Sequence, residues 1–172
     1  IRLRVSDFDR AAPHGTGHIK AGLNYAMSLY PISDAHAKGF DENLYPDPAT
    51  RTFIEETGGA NILFVKGNTL VTPLSPSILP SITRRSLLFL AKNYLKMETE
   101  ERKIALSELG DFEEAGLCGT AAVISPVWEI VSAGTSFRYS VSEKGKLQAL
   151  SDLLKAVQAG DSFAPDGWIY KI

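Results

Sequence analysis

The chain has 172 residues, 44% apolar and 22% charged, which suits one ordinary globular domain with a real core. Its formal net charge of −2, from 18 basic and 20 acidic side chains, gives no electrostatic case for binding nucleic acid or an anionic membrane. The single cysteine, Cys118, excludes an internal disulfide framework and an all-cysteine metal site, and no apolar run approaches bilayer-spanning length.

Taken in chain order, Ile1 to Val5 alternates like a strand already in progress. Because the chain opens on Ile1 rather than Met, more protein upstream is expected; processing of a complete short protein is the alternative. Ala12 to Gly17 reads as a loop. Ile19, Leu23, Ala26, Met27 and Tyr30 recur at helical spacing, with Pro31 as a stop signal. Asn43 to Tyr45 and Thr52 to Glu55 read as short strands, with Gly58-Gly59 as a turn. Asn61 to Val65 and Thr69 to Thr72 flank Lys66-Gly67-Asn68 as a hairpin. A helix starts near Ser81 or Thr83 and buries Leu87, Leu88, Leu90, Ala91, Tyr94 and Leu95. Arg102 to Leu106 reads as a strand, and Ser107 as the N-cap of a short helix through Glu114. Gly116 to Thr120 reads as tight loop, and Val123 to Val131 as a strand broken at Pro126. The last helix runs from Lys144 to Ala159, with Leu147, Leu150, Leu154 and Val157 buried and Gly160 as its stop. Strands mixed with three or four helices give an α/β or α+β fold.

Four constellations could carry chemistry. Lys20 follows a turn-rich loop and has Tyr25 five residues on; if partly desolvated there it suits an amine nucleophile, and if not it is a solvated surface lysine. Glu55-Glu56 ends a strand before a glycine turn. Alternation there points one carboxylate inward, where it needs a cation or a donor, unless both are solvated strand-end charges. Leu79-Pro80-Ser81-Ile82-Thr83-Arg84-Arg85 feeds a helix N-terminus, which offers free N–H groups, a hydroxyl and two arginines to a phosphate, or ordinary capping. Cys118-Gly119-Thr120-Ala121-Ala122 offers close backbone approach to an anion, or a tight loop before a strand. Cys118 itself reads as a small buried hydrophobe. His14, His18 and His36 show no metal-ligand spacing, and Trp128 and Trp168 read as packing.

In order and spacing, these segments resemble the fold-class IV pyridoxal-phosphate enzymes, and within them the branched-chain amino acid aminotransferases. The resemblance rests on Arg10-Ala11-Ala12-Pro13-His14-Gly15-Thr16-Gly17 with Lys20-Ala21-Gly22-Leu23-Asn24-Tyr25, on Phe53 to Gly58, on Ile78 to Arg84 and on Cys118 to Pro126. It implies a mixed β-sheet pseudo-barrel with flanking helices. It also implies that residues 1–172 form the large, C-terminal, cofactor-binding domain, without the family's smaller N-terminal domain.

The resemblance further implies pyridoxal 5'-phosphate as cofactor and Lys20 as the catalytic Schiff-base and proton-transfer residue. Tyr25 would meet the cofactor's 3-oxygen, Glu56 its ring nitrogen and Leu79 its ring face. Ile82, Thr83 and Thr120 would hold the phosphate, and Thr120-Ala121 the substrate carboxylate. The implied reaction moves an amino group between branched-chain L-amino acids and 2-oxoglutarate in a cytoplasmic homodimer. D-amino acid transamination, aminodeoxychorismate cleavage or a catalytically silent domain are the alternatives. Two departures stand out. Leu23 replaces a second glycine and is expected to crowd the loop. Ala122 and Ser125 stand where mammalian members carry a redox Cys-x-x-Cys pair.

Overall fold

The computed structural model describes residues 1–170. Ten strands form two five-stranded mixed sheets, with three α-helices on the outside. The strands of the first half are Arg2–Val5 (β1), Glu42–Pro46 (β2), Ile54–Thr57 (β3), Asn61–Lys66 (β4) and Thr69–Pro73 (β5). Those of the second half are Glu98–Arg102 (β6), Glu114–Gly119 (β7), Val123–Val127 (β8), Glu129–Ser132 (β9) and Thr135–Arg138 (β10). The helices are Gly22–Ala37 (α1), Ile82–Asn93 (α2) and Lys146–Ala159 (α3). One sheet runs β10-β9-β1-β2-β3 and the other β6-β5-β4-β7-β8. The mixed α/β fold expected from the sequence is present.

Period-two alternation divides the core into two layers. On β4, Ile62 and Phe64 face the other sheet and join Leu3, Leu44, Ile130 and Leu117. Leu63 and Val65 face the opposite way and pack with Leu87, Leu90, Leu150 and Leu154 of α2 and α3. A strand covered on both faces is apolar at nearly every position, which is why β4 reads as a continuous run. Helix α3 ends where expected, at Gly160, whose φ of 81° is the left-handed geometry a glycine cap supplies.

Helix α1 departs from the pattern. It continues through Pro31 to Ala37 instead of stopping. Tertiary bonds hold it there: the Pro31 carbonyl accepts from Asn43 Nδ2 at 2.8 Å and Arg4 Nη2 at 3.3 Å, and Arg4 pairs with Asp34 at 2.6 Å. Its buried residues are Asn24, Pro31 and Ala35, whereas Leu23, Met27 and Tyr30 of the apolar stripe are exposed. Polar anchors, not an apolar face, therefore orient α1 on β1 and β2.

The other differences lie at strand boundaries. The strand read at Arg102–Leu106 sits earlier, as β6, an acidic edge strand parallel to β5. Leu106–Asp111 is a 3-10 turn in place of the Ser107-capped helix, and Glu108 accepts the Ala105 N–H at 2.8 Å. Gly116 to Cys118 lies inside β7, where Gly116 packs directly beneath Ile124 and Leu147 rather than turning. The break after Val123 falls at Trp128, not Pro126. Pro126 is tolerated on the edge strand β8, while Trp128 donates to Ile1 O at 3.0 Å and carries the chain into the other sheet. Trp128 is 42% exposed, so it is less a packing residue than expected. No helix among the described residues is long and apolar enough to cross a membrane.

Phe64 is fully buried between the sheets, its ring stacked on Phe112 at 4.5 Å between centroids. Phe64→Ala is expected to lower the unfolding free energy by about 3–5 kcal/mol, measured by urea denaturation.

Candidate functional site

Loops at one end of the two sheets enclose a cavity of about 290 Å³. Its walls come from the loop before α1 (Gly17, Ile19, Lys20), the first turns of α1 (Asn24, Tyr25) and the β3–β4 turn (Glu56 to Asn61). The approach to α2 (Leu79 to Ile82) and the end of β7 (Cys118 to Thr120) complete them, with Arg10 behind. All four constellations singled out in the sequence therefore meet in one place.

Glu56 occupies the buried side. Contrary to the expected alternation, both Glu55 and Glu56 are 3% exposed, because β3 is covered on both faces. Glu55 turns away from the cavity and accepts the Ser75 hydroxyl at 2.6 Å; burial raises it above the usual carboxylate range, with Ser75 pulling back. Glu56 accepts the Leu79 N–H at 3.0 Å and Asn61 Nδ2 at 2.6 Å. Arg10 Nη2 lies 3.0 Å from Oε1, the oxygen that also takes the Leu79 N–H. Burial pushes the Glu56 carboxyl up to about 7, and Arg10 and the Leu79 N–H oppose that rise.

Arg10 is the residue the sequence reading left without a role. It is 5% exposed and also donates to Gly17 O at 3.0 Å and to Ser77 O. One guanidinium thus ties Glu56 to the Lys20 loop and to the loop before α2. A signal was available: an inward glutamate needs a cation, and Arg10 was the arginine nearest the Lys20 loop. Gly17 permits this close approach, since a Cβ there would sit 2.0 Å from Ser77 O and 2.7 Å from Arg10 Nη2.

Lys20 and Tyr25 stand exposed on the cavity wall. The desolvation expected for an amine nucleophile is therefore not supplied by this chain's own walls. Leu23 is 57% exposed and off the wall, so it does not crowd the loop.

At α2, Ser81 is the N-cap and accepts the Arg84 N–H at 3.2 Å. Among the described residues, the Ile82 and Thr83 N–H groups have no acceptor, as first-turn donors typically lack one inside a helix. Ile82 is on the wall; Thr83 is buried and off it. Arg84 faces inward, donating to Pro73 O at 2.8 Å and pairing with Glu101 at 3.3 Å, so it is not offered to the cavity. Arg85 opens onto a separate groove.

At the β7 end, Thr120 lines the cavity and Ala121 does not. Cys118 is buried, and burial pushes its thiol up to about 12, which fits a packing role. The following turn returns through Val123 at φ 62°, a left-handed conformation rare for a β-branched residue and associated with functional sites. Among the described residues, no cluster of three metal-ligating side chains occurs.

Two measurements check this geometry. Gly17→Ala is expected to cost about 1–3 kcal/mol in chemical denaturation, because the loop must leave Ser77 and Arg10. Glu56 carries its proton in the folded protein at pH values where the unfolded carboxyl, near 4.5, has lost it. Its contribution to stability should therefore fall by about 1–3 kcal/mol as pH rises from about 4.5 to about 7, and level off above. Urea titrations across that range should show the decline, and Glu56→Gln should flatten it.

Comparison with known proteins identifies the family. The family described as amino-transferase class IV matches residues 1–130. The chain is 48% identical over 173 residues to the branched-chain-amino-acid aminotransferase of Helicobacter pylori, covering 99% of this chain and 50% of that protein. It is 47% identical over 176 residues to the enzyme of the same name from Haemophilus influenzae, covering 98% and 51%. The crystal structure of the Thermobaculum terrenum branched-chain amino acid aminotransferase in its PLP-form superposes with a TM-score of 0.84 at 30% identity, over 94% of this chain and 52% of that one. The Escherichia coli enzyme gives 0.83 at 31%, over 99% and 56%. The chain spans about half the length of the curated relatives it matches. Its sequence and fold place it in the class IV aminotransferase family.

Proposed function

We propose that this domain binds pyridoxal 5'-phosphate and that the protein carrying it transaminates branched-chain L-amino acids with 2-oxoglutarate. The observation that supports this best is one cavity holding a buried carboxylate, Glu56, an amine, Lys20, and the N-terminus of α2. The residues fit the cofactor. Glu56 is a buried acceptor for a protonated ring nitrogen, and the Ile82 and Thr83 N–H groups lack acceptors among the described residues, as a phosphate site requires. Leu79 offers an apolar surface to a ring. The relatives' names carry the substrate class.

Bound there, the cofactor supplies an electron sink for the carbanion formed next to the amino group. The chain's own groups do the rest. Lys20 would hold the cofactor through its aldehyde carbon and, once displaced by the substrate amine, would take up and return the proton at the substrate α-carbon. Glu56, held by Arg10, Asn61 and the Leu79 N–H, would keep the ring nitrogen protonated. Tyr25 would donate to the 3-oxygen, Thr120 and the Ile82 and Thr83 N–H groups would hold the phosphate, and the Thr120-Ala121 backbone would orient the substrate carboxylate.

We take residues 1–172 as the cofactor-binding domain and the active protein as a homodimer in the cytoplasm. The exposed stripe of Leu23, Met27 and Tyr30 beside Phe8 is the kind of apolar surface that further protein covers. The lone buried thiol of Cys118 fits a reducing compartment.

In the full-length protein, Lys20→Ala should abolish the visible band of the bound cofactor and lower amino transfer from L-leucine by about 10²–10⁴-fold. A band that survives Lys20→Ala would sink the assignment of Lys20. Turnover of D-alanine or aminodeoxychorismate in preference to L-leucine would move the protein to another class IV reaction.

A further inference from the structure

We infer that Asn24 is a positioning residue for Lys20: its buried side-chain amide clamps the backbone on the N-terminal side of Lys20 and so sets where the amine enters the cavity. This rests on the reading of Lys20 as the cofactor-bonding amine.

Lys20 is exposed, and no side-chain hydrogen bond holds its amine among the described residues. A long lysine side chain gains little fixed geometry from solvent, so its reach depends on where its Cα is held. Asn24 holds that backbone. Its side chain is part of a residue only 5% exposed, and Nδ2 donates to Thr16 O at 2.9 Å and to Ile19 O at 3.0 Å. Thr16 Oγ1 lies 3.4 Å from Oδ1 and returns a donor to the same amide. The Ile19 carbonyl, which belongs to the peptide joining Ile19 to Lys20, also accepts the Ala21 N–H at 2.8 Å. That peptide plane is consequently held by two donors. The turn behind it is closed by the Ile19 N–H on Thr16 O at 2.8 Å.

Helix capping does not explain these contacts. Asn24 is the third residue of α1, where a capping side chain would accept a bond from the N-cap N–H. Here α1 has no side-chain cap, and the Asn24 amide donates outward to loop carbonyls. Two carbonyl acceptors at one amide position also fix which end is nitrogen, since the reversed amide would face oxygen to oxygen. Asn24 lies on the cavity wall next to Tyr25, so the clamp, the amine and a second proposed cofactor contact share one short segment.

The test uses full-length protein with three variants, Asn24→Leu, Asn24→Ala and Lys20→Ala. Asn24→Leu keeps the volume and removes the clamp without adding charge beside the amine. For both Asn24 variants, three changes are expected. The pH midpoint of the bound cofactor's visible band moves by about half a unit or more. The kcat with L-leucine falls about tenfold or more with KM changed less than about threefold. In the cofactor-free protein, the Ile19 and Ala21 amides exchange hydrogen about tenfold faster or more, while amides of α2 are unchanged. Loss of buried packing alone would not move the spectral midpoint. A folded Asn24→Leu or Asn24→Ala protein with the wild-type midpoint and wild-type exchange at Ile19 and Ala21 overturns the proposal. A band retained in Lys20→Ala overturns the reading of Lys20 and this proposal with it, whereas a lost band with unaltered Asn24 variants overturns only the clamp. If neither Asn24 variant folds, the wild-type protein decides: protected Ile19 and Ala21 amides support the clamp, and exchange at the rate of an open loop overturns it.

Discussion

A carboxylate at the end of a strand covered on both faces must find a cation, and here Arg10 meets Glu56 at 3.0 Å. Everything at the cavity end of the fold follows from that burial. Arg10 can reach Glu56 only if the chain after β1 folds back across the β3–β4 turn. There the same nitrogen, Nη2, also donates to the Gly17 and Ser77 carbonyls. The loop carrying Lys20 and the loop feeding α2 are thereby fixed to the same charge. A buried ion pair of this kind is a poor source of stability, since well-packed apolar residues of similar volume often serve as well or better. Its value here lies in registration, because one planar guanidinium sets the distance between three segments far apart in sequence.

The layers of the fold explain why those segments arrive at one end. Strand β4 is central to its sheet, paired with β5 and β7, and its two faces feed both halves of the core. The turn before β4, the end of β7 and the start of α2 therefore open on the same edge of a rigid sheet. Asn61, the first residue of β4, uses that rigidity: its amide bonds Glu56 Oε2 at 2.6 Å and Leu79 O at 3.2 Å. The site is mounted on loops, but each loop is bonded to an element that cannot move independently.

Legibility in the sequence tracked burial pattern. The β4–β5 hairpin, α2 and α3 were readable because their apolar positions recur with the period of their own structure and end at turn or cap residues such as Gly67, Ser81 and Gly160. The boundaries that misled had the opposite property. Pro31 looked like a stop because the bonds that sustain α1 come from Arg4 and Asn43, which local sequence cannot show. Gly116 to Cys118 looked like a loop because small residues serve equally in a turn and under a crowded strand. Lys20, Tyr25, Glu56, Leu79, Ile82 and Thr120 do share one cavity, whereas Thr83 and Ala121 sit beside it. Arg10, Asn24 and Asn61 were missed for a common reason: they act through bonds to other site residues, and such roles leave no spacing to read.

The two chemical groups at the centre of the site are treated oppositely by this chain. Glu56 is 3% exposed and takes the Leu79 N–H and Asn61 Nδ2 beside Arg10, so its side of the cavity is braced by this chain's own groups. Lys20 is exposed, so this chain leaves the amine open to solvent. Ile19, beside it on the wall, is 48% exposed, and Leu23 and Met27 of α1, at 57% and 46%, are also uncovered. A protein surface laid over Ile19 and the start of α1 would therefore bury apolar surface and the amine in the same event. The free energy released by covering Ile19, Leu23 and Met27 is then available to offset the cost of desolvating Lys20, which couples assembly of this face to activation of the amine.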